Sequence, residues 1–228
     1  MDWRDFAQRM ASMSRDLLAQ KSVEGTLKRI TGAATELLGG CDDAGILILN
    51  GKKVHSLAPT GQLVVDSDQL QERLGQGPCF DAARPEAGER VYRIADFNQE
   101  QPRWPRFAPQ AQALGVGSMM GFLLYTDEEE LGALNLYSHT AGVFTDEAET
   151  AGWLLASHAA VALSSARAHA QMEQAIATRH IIGEAMGILM GSRHLTEDQA
   201  FAVLRRYSQE NNIKIREVAR QITEQGRL

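Results

Sequence analysis

The chain has 228 residues, 44% of them apolar, and a formal net charge of −6 at pH 7. That length holds one large domain or two modest ones, and either could bury a real core. The longest near-apolar stretch, Val116–Tyr125, is too short to span a bilayer, and Asp2, Arg4 and Asp5 stand where a secretion signal would be apolar. The expected compartment is the cytoplasm, where Cys41 and Cys79 are expected as free thiols. Without a CxxC, HExxH or paired Cys/His spacing, no metal site is expected.

The charge is unevenly spread. Residues 1–170 hold 15 Lys/Arg and 22 Asp/Glu, a net −7, whereas residues 171–228 hold 8 and 7, a net +1. The acidity belongs to the first part. A net +1 cannot drive tight phosphate binding alone, so any nucleic-acid contact needs a clustered basic face, base contacts or two copies.

In chain order, residues 2–20 and 22–38 read as amphipathic helices. The second carries Val23, Leu27, Ile30, Ala34, Leu37 and Leu38 at helical spacing and stops at Gly39-Gly40. Asp43–Leu49 and Val54–Ala58 read as strands joined by Asn50-Gly51, a strong hairpin signal. A helical segment near Ser67–Leu74 leads to Gly75-Gln76-Gly77-Pro78-Cys79, and Cys79–Ala83 opens another short helix. Strand Arg90–Ile94 follows, then a helix within Pro102–Leu114. Strands Val116–Tyr125 and Leu131–Tyr137 flank an acidic turn at Asp127–Glu130. Thr145 caps a long helix from Asp146. This order predicts an antiparallel sheet with helices on one side, an α+β arrangement.

From about Ser22 to Ser165 the chain resembles a GAF domain. The likeness rests on Gly-Pro-Cys at 77–79, W-P-R-F at 104–107 and L-G-A-L-N-L at 131–136, in that order and spacing. The resemblance implies a sensor that could bind a small molecule, with Cys79 and Trp104 marking a possible pocket. Cys79 could serve bilin attachment, redox sensing or metal contact; for it and Cys41 the residue type favours a buried structural thiol. Trp104 and Phe107 read better as packing under a loop. The N-K-x-F-x-D-E pattern of cyclic-nucleotide sites is missing. The ligand, and so any cofactor, is left unknown.

Between Thr145 and Met190, Leu154, Val161, Ala168, Ala175, Ile182 and Leu189 recur every seven residues, with Met172 among the intervening positions. The pattern predicts a coiled-coil seam of Leu154, Val161, Ala168, Met172, Ala175 and Ile182 in a parallel homodimer. Its middle is weak because alanines bury little area. His158, His169 and His180 fall eleven residues apart, a rise of about 16 Å, too far to share an ion within one chain.

The last fifty residues break into Arg179–Met190, ending at Gly191, Thr196–Gln209 and Lys214–Gln225, ending at Gly226. R-x-x-I-x-x-A-x-G-I-L-M from Arg179, T-E-D-Q-A-F-x-x-L-R-R from Thr196 and N-x-K-x-R-x-V-A from Asn212 together closely resemble the ANTAR domain. That domain is the RNA-binding module of bacterial transcription antitermination regulators. The resemblance implies dimers that hold a pair of small hairpin loops, one of whose stems overlaps a terminator. Two modules on one dimer gain effective concentration for the second hairpin. Candidate RNA contacts are Arg179, Arg205, Arg206, Lys214 and Arg216 as cations and Ser208, Asn211 and Asn212 as polar readers. Ala185 and Gly187 serve either helix packing or close approach of a base. Where ANTAR domains often place a lysine, this chain has Met186. Ile182, Ala185, Ile188, Leu189, Phe201, Leu204, Ile215, Val218 and Ala219 read as core.

The expected organisation is an N-terminal helix (1–21), a GAF sensor (22–165), a connecting coiled-coil helix (146–178) and an all-α three-helix ANTAR bundle (168–228). The expected activity is regulatory, with RNA and a second copy as partners, no membrane and no enzymatic role. Two alternatives stand beside it. A DNA-binding regulator would need the short Gly-containing turn and polar recognition helix of a helix-turn-helix, which are missing. A GAF-type methionine sulfoxide reductase would need paired pocket cysteines and would have no use for the C-terminal bundle.

Overall fold

The structure, a computed structural model, describes residues 2–50, 53–78, 81, 90–97, 103–127 and 129–226. Its contacts divide into two compact units, Met1–Arg167 and Ala168–Leu228.

The first unit opens with helix α1, Trp3–Leu18, whose first turn is capped by the Asp2 carboxylate accepting from the Arg4 and Asp5 amides. It buries Phe6, Met10, Met13 and Leu17, one stripe at helical spacing. Helix α2, Val23–Leu37, is capped by Ser22 and buries Leu27, Ile30, Ala34 and Leu37. Strands β1 (Asp43–Asn50) and β2 (Lys53–Leu57) pair antiparallel with Asn50 opposite Lys53, so the hairpin forms as expected. Gly51 of its turn and Cys79–Phe80 and Ala82–Ala83 of the expected short helix lie outside the described residues. Helix α3, Gln62–Leu74, stops at Gly75, which adopts a left-handed φ of 61°. Strand β3 (Val91–Ile94), helix α4 (Ala108–Ala113), and strands β4 (Ser118–Tyr125) and β5 (Glu130–Ser138) complete a five-stranded antiparallel sheet ordered β2-β1-β5-β4-β3.

Helices cover both faces of this sheet, which corrects the one-sided expectation. Met120, Phe122, Leu124, Leu134 and Leu136 face a core shared with α1, α2 and the long helix. Met119, Ala133 and Tyr137 face a second core with Val64 and Leu70 of α3, Ala108 and Ala111 of α4, and Trp104 and Phe107. The physical reason is written in β4, where every residue from Ser118 to Leu124 is buried. A strand without polar alternation needs cover on both sides. Helix α3 also starts five residues before the expected Ser67, because its N-cap is Gly61, which offers no side-chain cap to recognise.

Helix α5 runs unbroken from Asp146 to Arg193, 48 residues. The expected start at Arg179 and stop at Gly191 are both inside it. A lone helical glycine costs only about 1 kcal/mol, too little to end a helix that packing supports. In the first unit its buried face is mostly alanine, with Leu155 and Leu163. A Cβ on Gly152 would run into the Phe122 ring, so this helix lies close on the sheet because residue 152 has no side chain.

In the second unit the end of α5 packs with α6 (Glu197–Asn211) and α7 (Ile215–Gln225). Thr196 and Gln199 form a reciprocal capping box at the start of α6. The core is Ala185, Leu189, Ala200, Leu204, Val218, Ala219 and Ile222, with Ile182, Ile188 and Ile215 half-buried against it. Phe201, expected in this core, is 42% exposed; Ala200 beside it is fully buried instead.

Candidate functional site

The exterior of the second unit carries the charges that the sequence nominated. Arg179, Arg205 and Lys214 are exposed and make no ion pair among the described residues, and Arg193 joins them. Arg206 lies 3.9 Å from Glu210, both well exposed, a contact that solvent screens heavily. Arg216 is held more firmly: it is half-buried and its Nε donates to Glu217, 3.1 Å away, which also takes Arg220 at 3.1 Å. The nominated cations therefore divide into three without an ion pair among the described residues, Arg206 with one long contact, and Arg216 already engaged.

The polar readers have structural tasks. The Ser208 hydroxyl donates to the Ile213 carbonyl, and Asn212 caps α6 in the left-handed region at φ 52°. Asparagine tolerates that conformation better than most residues. The Asn211 amide donates to the Tyr207 carbonyl one turn back. Together they close the α6–α7 turn, which sets Lys214 at the N-cap of α7. Ala185 is fully buried and packs in the bundle core. Gly187 is different. A Cβ there would meet nothing within 4 Å, and the same is true at Gly183 and Gly191. The bundle's own packing does not require these glycines.

The predicted seam residues sit on α5. Leu154 is 44%, Val161 63% and Met172 56% exposed, and Ala168 and Ala175 are exposed too. Ile182 is half-buried against the bundle core of its own chain. Leu154 and His158 also border an apolar depression of about 310 Å³ with Trp3, Phe6 and Met10 of α1. His158 Nδ1 lies 3.2 Å from the Ser14 hydroxyl, a local contact within the first unit.

The first unit keeps its chemistry inside. Trp104 is 3% exposed; its indole N–H donates to Asp81 at 2.9 Å, and its ring meets Tyr92 edge-on. Cys79 lies outside the described residues. Cys41 is buried, and burial pushes its thiol up to about 12, so it stays protonated and unreactive near neutrality.

Sequence reasoning missed a buried polar cluster on the same side of the sheet. Asp68 of α3 is fully enclosed and accepts from Ser56 of β2 at 2.7 Å, Tyr137 of β5 at 3.1 Å and Asn135 of β5 at 3.4 Å. No described cation pairs with it. Burial pushes its carboxyl up to about 6, against which the three donors pull. Ser67 and Gln71 are buried alongside, and the Ser67 hydroxyl and Asn135 Oδ1 have no hydrogen-bond partner among the described residues. The signal was present: Val64, Ser67, Asp68 and Gln71 follow the i, i+3, i+4, i+7 pattern of a core stripe, written in polar residues.

Among the described residues no group of three or more His, Cys, Asp or Glu is placed to hold a metal ion. No described helix is long and apolar enough to cross a membrane.

Comparison with known proteins agrees with this geometry. The GAF domain family matches residues 20–164 and the ANTAR domain family residues 170–222. Solved structures share the fold of the first part. The GAF domain of an Acinetobacter phosphoenolpyruvate-protein phosphotransferase is 13% identical, over 73% of this chain and 97% of its own, at a TM-score of 0.54. The corresponding domain from Coxiella burnetii is 18% identical over 75% and 99%, at 0.57. The Stigmatella aurantiaca phytochrome photosensory core module is 14% identical over 89% of this chain but only 44% of its own, at 0.62. No curated protein matches the chain. The match covers well over half the length, so the chain belongs to the GAF domain family. Its second part is an ANTAR domain, and the two in series are the architecture of a sensor-linked, RNA-binding antitermination regulator rather than of an enzyme.

Proposed function

We propose that the protein is a cytoplasmic, homodimeric antiterminator whose GAF domain responds to a signal and whose ANTAR domain holds hairpin loops of nascent transcripts. The working divisions are an N-terminal helix at 1–21, the sensor at 22–165, a connecting helix at 146–178 and the output module at 168–228. The observation that carries the reading is the ANTAR match on a bundle whose outer cations Arg179, Arg205 and Lys214 make no ion pair among the described residues. Unpaired surface cations are available to phosphate at no cost in broken ion pairs. Gly187 supports the reading as well, since an open backbone position without Cβ lets a base approach closely.

The dimer is proposed through the exposed apolar stripe of Leu154, Val161, Ala168, Met172 and Ala175. Ile182 already contributes to its own bundle core, so the seam ends before it. A heptad stripe fits a second helix of the same period, and another copy of this chain supplies one. A weak alanine-rich seam is a natural point of control, because a small change in the sensor can bias a marginal association. Two bundles on one dimer then engage two loops, which offsets the low net charge.

The test is binding of the full-length protein to a two-hairpin RNA with small loops, against the same RNA with scrambled loops, across a salt series, with light scattering on the same sample. Loop-dependent binding by a dimer that weakens in Arg205→Ala/Arg206→Ala is the expected result. Equal binding to both RNAs by a dimeric protein, or a preference for duplex DNA, would overturn the reading.

A further inference from the structure

Phe201 is one of the few large apolar side chains that the fold leaves in solvent, 42% exposed in the second turn of α6. A single exposed aromatic is ordinary on a protein surface. Its neighbours are not. Arg205 lies one turn on, at the i, i+4 spacing that makes side chains adjacent, and Arg206 follows. Ala202, Val203, Arg205, Arg206 and Gln209 line a shallow depression of about 360 Å³. Glu197 and Asp198 sit in the first turn, where they complement the helix dipole. Charge along the outer face of α6 therefore runs from acidic to basic past an exposed ring.

Resting on the RNA-binding reading above, we infer that Phe201 is a stacking platform for an unpaired loop base, with Arg205 and Arg206 holding the phosphates that follow it. An unpaired base offers an apolar face bounded by anionic backbone. That is the complement of an aromatic ring followed by two cations. Among the described residues Arg205 makes no ion pair and Arg206 has only the long contact to Glu210, so both can turn to phosphate. The acidic first turn repels backbone from the other side and fixes the direction in which the strand crosses the helix.

The experiment uses the full-length protein and a two-hairpin RNA selected by it from a pool with randomised loops, then resynthesised with 2-aminopurine at loop adenines. Phe201→Leu keeps apolar bulk and loses the aromatic face; Phe201→Trp keeps the face. Circular dichroism confirms that each variant is folded. Phe201→Leu is expected to weaken binding about tenfold, the usual cost of one lost stack, and to abolish the 2-aminopurine quenching, with the salt slope unchanged. Phe201→Trp should bind like the wild type. Arg205→Ala/Arg206→Ala should instead lower the slope by about 0.7 per cation. If the arginine pair matters but Phe201→Leu binds and quenches as the wild type, the stacking inference fails while the RNA reading stands. A Phe201→Leu protein that changes oligomeric state at unaltered RNA affinity also overturns it, assigning the ring to a protein contact. If the pool yields no bound RNA, both fall.

Discussion

The two units solve opposite problems with their polar residues. The first, Met1–Arg167, buries them: Asp68, Gln71, Ser67 and Asn135 lie inside a domain large enough to keep apolar cores on both faces of its sheet. The second, Ala168–Leu228, has one small core in which no described polar side chain is buried, and of its described arginines only Arg216 is even half-buried. A large domain can tolerate an unpaired carboxylate in its interior; a unit of this size cannot. The lesson is about where sensitivity resides. The first unit should respond to changes in its interior chemistry, and the second to changes in packing or on its surface.

The largest effect is expected from the small core. Leu204→Ala removes a fully buried side chain from a cluster of seven residues, three of them alanine. Such truncations cost about 2–5 kcal/mol, comparable to the whole stability of a domain this small. The expected outcome is selective melting of the second unit, seen as loss of helical signal and RNA binding while the first unit keeps its own thermal transition. A single transition shifted as a whole would mean that the two units do not unfold separately.

Asp68 provides the counterpart inside the first unit. Its carboxyl titrates near 6 in the fold against an ordinary value of 3.8, so the native state favours the protonated acid. That preference stabilises the fold below about pH 4 and is lost as pH rises through 6. Asp68→Asn keeps one acceptor oxygen, which can serve Ser56, and its amide then takes the place that faces Tyr137 and Asn135, where it can donate to the tyrosine oxygen and to Asn135 Oδ1. The variant should be more stable than the wild type above pH 6 by about 1–3 kcal/mol, with the difference vanishing near pH 4. Denaturant melts at pH 4 and 7.5 measure it. A variant that is less stable at both would show that the ionised carboxylate is well solvated by its three donors.

The same contrast explains what could be read from the chain alone. Helices α1 and α2, the β1–β2 hairpin and helices α6 and α7 were legible because apolar spacing and capping residues such as Ser22 and Thr196 mark them locally. The Asp68 cluster was missed because its core-spaced stripe from Val64 to Gln71 is mostly polar, and polar residues on one helical face read as a solvent face. Phe201 was misassigned for the converse reason. It lies at the edge of the apolar stripe of α6, and only the close packing around Ala200 decides that the smaller neighbour goes inside. Four of the five nominated cations are exposed and Arg216 is half-buried; which of them are free depends on the rotamers that Glu210 and Glu217 adopt beside them.

Gly187 tests whether a feature without a role in the fold has one elsewhere. A methyl added there meets nothing within 4 Å, and alanine is the better helix former. Gly187→Ala should therefore stabilise the second unit by roughly 0.5–1 kcal/mol. If RNA approaches the α5 backbone, the same variant should bind it more weakly, so that stability and affinity move in opposite directions. Improvement in both would remove α5 from the RNA face.

The smallest effect on stability, and the finest test of the surface, is Glu210→Gln. The Arg206–Glu210 pair is exposed, and its 3.9 Å separation is at the limit of an ion pair, so its loss should cost no more than about 0.5 kcal/mol. Its consequence for RNA should be larger. Removing the carboxylate frees Arg206 and also takes a negative charge from beside the path of the backbone, so binding should tighten most at low salt, and the advantage should fade as ionic strength rises. An affinity gain independent of salt would point to a contact by the new amide and not to the release of Arg206. No gain at any salt would place the RNA away from this end of α6, leaving Arg179 and Lys214 to carry the phosphate contacts.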